Sequence, residues 1–544
     1  MKRAIVILLL LTMLLSSCST VSSEPNDDTD GTTSSESTTA TDPTESTSKE
    51  EEQMQPITLT DQYCIVAEEA TVAHAERVRD AIKKATKLSL PIVTDGNAER
   101  CEIVLADSRR SEIKALVREL ASPFLGAVVV KGERILLAAG SEQALEPTVE
   151  AFIAAIPTLT KNKTMTLSAD YRLEKNCAAR IAKDVITSIT CEPKSETRVQ
   201  TDTVRIFTPD GSENDWYFNH VPFITQFKDR FYIFYSSGPV NESDCGQRVM
   251  MATSTDFEKW KVEVLLDSVP GQAADMLLTA RSCYVVDGKL TLFFYKYEYY
   301  EEFLRYENGK PVRPIDTTRA GVGYGMFYIQ TEDGKNWSEP VSIGFPSAGN
   351  ACPEVLQSGA LLWAGNGQTA YSDSYLDIEN WSNQKLKLAP DTEPTKNNTE
   401  SDFVQMPDGT VLIFSRTGSE VMLGAASFDD GKTWTDMYRT QFTDSDARFR
   451  FGILPDGRYY FLGNMSYARN ELLLITSKDG IHYDEWYYLG EEPYTLMKKG
   501  LAKGGTYSYP DMITDGEYLY IVYSLKKESI EVKRVKLDDL TPEK

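Results

Sequence analysis

Apolar and polar positions divide this chain into four stretches of different texture. Met1-Lys2-Arg3 leads into an apolar run from Ala4 to Leu15, too short and too close to the start to span a membrane in the finished protein, which is the pattern of an export signal. From Ser19 to about Pro56 large apolar residues almost vanish and Ser, Thr, Asp and Glu take over. Such a stretch buries too little surface to offset its ordering entropy, so residues 19–56 read as a disordered, self-repelling tether. Strands and helices alternate between Ile57 and Asp170. Tyr63 to Ala67, Leu90 to Val93 and Ile103 to Leu105 are short apolar strands, and Ala73 to Lys87 sets Val78, Ile82 and Ala85 on one helical face. Gly126 to Val130 and Arg134 to Ala139 form a hairpin through Lys131-Gly-Glu, and Ala144 to Ile156 is a second amphipathic helix. The alternation predicts a small α/β layer domain over about 57–175.

Past Cys177 the chain turns to short strands, with no long helix expected. Turns such as Lys228-Asp229, Asp287-Gly288, Pro407-Asp-Gly409, Pro455-Asp-Gly457 and Asp515-Gly516 join pairs of apolar strands. They define six units, opening at His220 to Tyr235, Arg281 to Tyr295, Cys352 to Trp363, Glu400 to Ser415, Arg448 to Leu462 and Tyr507 to Tyr523. A second turn recurs between them. In Ser427-Phe-Asp-Asp-Gly-Lys-Thr-Trp434 the Ser and Asp side chains fold back on their own backbone, Gly431 takes a positive φ, and Trp434 is an apolar plug. Shorter forms run from Ser254 to Trp260, Asp333 to Trp337 and Ser477 to Tyr483. A turn repeated between strands indicates radial repetition of a small sheet. Its full form, S-x-D-x-G-x-T-W, resembles the Asp-box of the sialidase superfamily. The resemblance implies a mainly β protein: a six-bladed sialidase-like β-propeller over residues 176–544, preceded by the α/β domain, with a place for a seventh irregular blade between Arg180 and Asn214. The box marks the fold and carries no chemistry.

Charge and cysteine usage narrow the partners. The formal charge is −24, and the tether, with ten acidic residues and one Lys, supplies −9 of it. The remaining acidity suits a solvated surface and argues against nucleic acid, which needs a basic stripe. Seven of the eight cysteines follow Cys18, scattered and without C-x-x-C spacing, and there are three histidines. Neither a zinc site nor a disulfide framework is expected, and no metal or cofactor is implied. Leu15-Ser-Ser-Cys18 resembles the lipobox of bacterial lipoproteins, which implies that residues 1–18 are a lipoprotein signal, that Cys18 is the lipidated terminus, and that a membrane is met only through that anchor. The α/β segment resembles the accessory domain that precedes the catalytic domain of several bacterial glycosidases, and no site residue comes with it.

The first strand of each blade lines the axis of a propeller, so polar residues at the six openings converge there: His220, Arg281, Glu354, Glu400, Arg448 with Arg450, and Tyr507 with Tyr509. Burying these charges in apolar strands is costly unless they face a wet cavity. The sialidase resemblance implies roles for several of them. Glu400 pairs with Arg416 across Pro407-Asp-Gly409, and Arg448 or Arg450 is a second holder of the substrate carboxylate. Tyr507 is the nucleophile in its Tyr-Ser context, with Tyr509 the near alternative, and Asp244 is the acid/base with Glu242 as understudy. The resemblance also implies an arginine where Phe218-Asn-His-Val-Pro222 has His220, and an imidazole makes one bond rather than a bidentate clamp. The Asn-His-x-Pro opening, with Gly246-Gln-Arg248 after it, also resembles propeller enzymes of uronate polysaccharides. That likeness implies His220 as base, Arg248 or Arg416 on the carboxylate, and Tyr507 or Tyr509 as acid. Three functions follow, all with a glycan as partner: an exo-acting glycoside hydrolase on a terminal acidic or uronate-linked sugar, a His220-dependent lyase or rhamnosidase-like enzyme, and a glycan-binding surface lipoprotein without catalysis.

Overall fold

In the computed structural model the described residues are 55–94, 101–213, 215–267, 276–299, 305–307, 310–312, 321–343 and 351–541. The export signal, Cys18 and nearly all of the tether lie outside them. The chain forms two compact units.

The smaller unit is built on a six-stranded sheet with the order Ile92–Val93, Cys64–Ala67, Glu102–Leu105, Arg134–Ala139, Leu125–Lys131, Arg172–Asn176. The first four strands of that order run parallel, and Leu125–Lys131 returns as a hairpin on Arg134–Ala139. Ile65, Val66, Ile103 and Val104 are wholly buried, as the strands of a parallel layer should be. The expected helices appear as Val72–Thr86 and Glu142–Leu159. A third, Ser111–Leu120, was not anticipated, and it buries Ile113, Leu116 and Leu120 along one stripe.

The larger unit takes in residues 122–125, 140–147 and 176–544. Among its described residues six sheets of four or five strands follow one another, and each predicted opening supplies the first two strands of one. Numbered as blades 1 to 6, their innermost strands are Phe218–Phe227, Met276–Val286, Glu354–Val355, Ser401–Gln405, Arg450–Ile453 and Tyr507–Thr514. The described residues of 180–214 hold no seventh blade. They supply outer strands instead: Ser195–Arg198 runs parallel beside Glu485–Gly490 of blade 5, and Asp202–Phe207 is antiparallel to Ser529–Lys536 of blade 6. The helix Ala178–Ser188 is a departure from the all-strand expectation, and it buries Ile181, Ala182 and Ile186.

Six apolar cores, one per blade interface, hold the ring shut. Phe234 and Leu292 belong to the core between blades 1 and 2, Phe293 meets Trp363 between 2 and 3, and Leu362 and Ile413 belong to the core between 3 and 4. Phe414 and Phe451 stack between 4 and 5, Leu474 and Tyr523 pack between 5 and 6, and Val522 returns to Ile233 of blade 1. At about 1.5–3 kcal/mol for each large side chain fully buried, these contacts dominate the ring's stability. The repeated turns all join the third and fourth strands of a blade. In blade 4, Asp429 accepts the Thr433 amide at 2.8 Å, Gly431 sits at φ +82°, and the Trp434 indole donates to Thr369 of blade 3 at 3.0 Å. A fifth such turn was missed: Asp377 accepts the amides of Glu379 and Asn380, and the Trp381 indole donates to the Ile378 carbonyl.

Candidate active site

Two matching backbone bulges shape the axis. The innermost strands of blades 1 and 6 slip register between His220 and Phe223 and between Ser508 and Asp511. Each bulge holds a non-glycine residue at φ +56°, Val221 and Tyr509, with a proline next. Left-handed backbone at such residues is strained, and strain of this kind is kept where a site needs it. The bulges free the carbonyls of Pro222 and Tyr509, and both accept from Nη2 of Arg448, at 2.8 and 2.9 Å.

Tyr509 then projects its hydroxyl to Glu400 and donates to it. Arg416 bonds the other Glu400 oxygen through Nη1, reaches the Tyr509 oxygen at 3.2 Å, and donates from Nε to Asp446 at 2.7 Å. Burial alone would raise the Glu400 carboxyl, but Arg416, the Tyr509 hydroxyl and Arg448 outweigh it and hold the group below the usual carboxylate range. Burial and the neighbouring Glu400 push the Tyr509 phenol up, so it keeps its proton at rest. Among the described residues, Nε and Nη1 of Arg448 and Nε of Arg281 are buried without a hydrogen-bond partner. His220 is wholly buried, with Nδ1 2.7 Å from Ser524 Oγ, its ring 4.1 Å from that of Tyr509, and Nε2 unbonded. Burial, then the charges of Lys527, Arg448, Arg469 and Arg416, hold its imidazole well below the usual range and therefore neutral at pH 7.

Tyr509 forms part of the wall of a cup of about 340 Å³, which Glu242, Arg416, Tyr467, Arg469 and Lys527 also line. Lys527 Nζ lies 3.1 Å from a Glu242 oxygen. Three cations against Glu242 make a local field that suits an anionic ligand. Two residues after Arg448, at the start of the innermost strand of blade 5, Arg450 donates to Asp402, Asp511 and Glu354. A single guanidinium cannot neutralise three carboxyl groups, and burial raises both Asp402 and Glu354 against its pull, Glu354 to about 8.

Residues 316–521 match the family described as a BNR repeat-like domain, and residues 199–270 one described as an N-terminal beta propeller. The chain contains a BNR-repeat β-propeller. No curated protein matches it. Among solved structures the BNR-repeat propeller is similar to a sialidase, at 17% identity over 65% of this chain and 34% of that one, with a TM-score of 0.44. The chain thus spans about a third of that sialidase. It is similar to the Trypanosoma rangeli sialidase at 13% identity over 62% of this chain and 60% of that one, TM-score 0.44. The intramolecular trans-sialidase from Ruminococcus gnavus, in complex with oseltamivir carboxylate, matches at 13% identity over 62% and 98% of the two chains, TM-score 0.45. The likeness expected from the Ser427 to Trp434 turn holds for the fold and its repeats.

The BNR-repeat propeller gathers Glu400, Arg416, Tyr509, Arg448, His220 and Arg281 around one end of its axis, and places the other candidates elsewhere. Tyr507 is corrected: its hydroxyl donates to Glu492 at 2.6 Å and its ring packs on Tyr523 between blades 5 and 6. Two positions apart on a regular strand, the two tyrosines would share a face, but the bulge at Tyr509 breaks the alternation. Asp244 is corrected too, because its carboxylate accepts the amides of Val240 and Asn241 and staples its own loop, while Glu242 lines the cup. Arg248 lies on the third strand of blade 1, stacked 3.6 Å over Trp216. Arg450 and Glu354 bond each other below the cup instead of offering free groups to it. Lys527, Arg469 and Tyr467 were missed. Lys527 sits at φ +54° in the turn between Leu525 and Ser529, where the sequence has Lys-Lys-Glu in place of the small residues that mark such turns.

Proposed function

We propose that this BNR-repeat propeller is an exo-acting glycoside hydrolase whose cup takes a terminal acidic sugar. The observation that carries the reading is the hydrogen-bonded chain Tyr509, Glu400, Arg416. A phenol kept protonated by its surroundings is a poor nucleophile alone, but a carboxylate held ionised beside it is a ready base. Tyr509 attacks the anomeric carbon as its proton passes to Glu400, the glycosidic bond breaks, and the departing oxygen takes a proton from Glu242. For this Glu242 must first take one up from solvent and loosen its pairing with Lys527. Water then releases the sugar by the reverse transfers. Arg416, Arg469 and Lys527 hold the substrate carboxylate, and Arg448 and Arg281 add two incompletely bonded guanidinium groups to the same positive field.

The test is a panel of chromogenic sialosides and uronides with wild type, Tyr509→Phe and Tyr507→Phe. Wild type turns over at least one of them, Tyr509→Phe loses about 10³-fold or more, and Tyr507→Phe stays near wild type. Equal rates for wild type and Tyr509→Phe sink the assignment, and binding without turnover by wild type points to a glycan-binding protein. A His220-dependent lyase is the lesser reading. The neutral imidazole suits a base, but the ring is shut away from solvent and its Nδ1 is engaged by Ser524. Ultraviolet absorbance from an unsaturated uronate, lost in His220→Ala, is the result that favours it.

A further inference from the structure

We infer that Glu528 is a positioning residue: paired with Lys503 inside the protein, it holds Lys527 and the segment from Ala502 to Gly505 in the wall of the cup. The inference rests on the acidic-sugar reading of that cup, which assigns Lys527 to the substrate carboxylate.

The turn that carries Lys527 is not one its residues favour. Lys526 and Lys527 sit at φ +48° and +54°, and left-handed backbone is strained for residues with a Cβ. The neighbouring segment has no support from regular structure either, because residues 491–506, between Glu485–Gly490 and Tyr507–Thr514, form neither helix nor strand. Both are fixed by bonds that meet at Glu528. Its carboxylate accepts the Met497 amide at 2.8 Å, the Lys498 amide at 2.9 Å and the Lys503 ammonium at 2.9 Å. Asn219 of blade 1 completes the fastening: its amide donates to the Lys527 carbonyl at 2.7 Å and its side chain to the Glu528 carbonyl at 2.8 Å.

Stability does not account for this arrangement. The Lys503 and Glu528 side chains are 1% and 0% exposed, and a buried ion pair is often no more stabilising than two apolar residues of similar volume. An apolar pair, however, cannot accept the amides of Met497 and Lys498 or fix their segment against the turn. The location gives the purpose. Glu528 follows Lys527, and Lys503 stands between Ala502 and Gly504, so each partner is joined directly to a stretch of cup wall. Held in this way, Lys527 keeps its ammonium at the cup, 3.1 Å from a Glu242 oxygen, and a cation already in place loses little freedom when an anion arrives.

The test replaces the pair by an apolar one, Lys503→Met with Glu528→Leu, which strands no charge. The full chain also carries Tyr509→Phe, which prevents turnover, and N-acetylneuraminate and glucuronate are titrated calorimetrically. The melting temperature stays close to that of the parent, while affinity for the acid that binds falls about tenfold, the size of one well-placed charged contact. Lys527→Met alone costs as much. Added to the replaced pair it costs about twofold or less, because the lysine has already left its place, and a pair that only supported the fold would show no such coupling. Affinity unchanged by the replaced pair, or a full tenfold cost of Lys527→Met in both backgrounds, overturns the positioning role and leaves the acidic-sugar reading standing. Binding of neither acid by the parent overturns that reading and the role with it. If the apolar pair does not fold, Lys503→Gln with Glu528→Gln carries the same comparison.

Discussion

Arg448 and Arg450 stand two residues apart where the chain enters the innermost strand of blade 5, both nearly excluded from solvent at 2% and 5% exposure, yet they live in opposite circumstances. Arg450 has its Nε, Nη1 and Nη2 bonded to three carboxyl groups. Arg448 has Nη2 on backbone carbonyls while Nε and Nη1 find nothing among the described residues. Residue type and burial are shared, so what separates scaffold from site is the supply of partners. The deeper guanidinium has its nitrogens engaged within the protein, with Asp402 Oδ1 the oxygen left over among the described residues, whereas the Arg448 guanidinium does not. Removing the two side chains should therefore have unequal consequences. Arg450→Met strands Asp402, Asp511 and Glu354 and should cost about 3–5 kcal/mol in urea unfolding, the range for breaking a buried pair from one side. Arg448→Met takes one donor from the Pro222 and Tyr509 carbonyls and should cost about 1–3 kcal/mol, less than Arg450→Met, while affinity for an acidic sugar falls. Equal losses of stability from both would break the distinction between the two arginines.

A weaker test of the cluster around Arg450 is its response to pH. Folding raises Glu354 to about 8 from an ordinary carboxyl value, chiefly through burial, so the folded protein holds a proton that the unfolded chain has already released. The contribution is fully present at pH values below the unfolded value and is lost as pH climbs to about 8 and beyond. The melting temperature should decline across that window, and Glu354→Gln, which cannot ionise, should flatten the decline. The side chain is 38% exposed, so the slope is shallow compared with the loss from Arg450→Met. A variant that declines as steeply as wild type would remove Glu354 as the holder of the extra proton.

The same division explains what could be read from the residues alone. Hairpin turns and Asp-boxes are local chemistry, so six openings in the sequence became the innermost strand pairs of six blades. Glu400 and Arg416 were legible because a hairpin of known length joins them. The choice between Tyr507 and Tyr509 was not, because a bulge between Ser508 and Asp511 changes which of them faces the axis, and nothing in the spacing of the residues announces that slip. Asp244 and Glu242 were exchanged for a similar reason: the carboxylate that satisfies loop amides is chosen by the loop's fold. Lys527, Arg469 and Tyr467 reach the cup from a hairpin tip and a loop, where no periodicity announces them. The helix Ala178–Ser188 was hidden among strands because it is short and its partners are distant in sequence.

The smallest expected effect belongs to a charge that, like Arg450, has its partners within the protein but sits near the surface. Asp377 accepts the Glu379 amide at 3.1 Å, the Asn380 amide at 3.0 Å and the Asn380 side chain, and these bonds, that to the Asn380 amide first among them, hold its carboxyl below the usual range. The Asp-box pattern overlooked it because Ser372 stands five residues before the Asp, whereas Ser254, Ser427 and Ser477 stand two before theirs. If the turn is a fifth box, completeness of bonding and not the Ser spacing defines the motif. Asp377→Ala should then lower stability by about 1 kcal/mol, the net worth of a hydrogen-bonded surface turn, and Asp429→Ala should lower the melting temperature in the same way. Because the depressed carboxyl stabilises the turn only when ionised, the difference between wild type and Asp377→Ala should be present at neutral pH and disappear as pH falls through the folded value. A melting temperature for Asp377→Ala that matches wild type at neutral pH, beside a lowered one for Asp429→Ala, would return the turn at Trp381 to ordinary loop and leave blade 3 without a box.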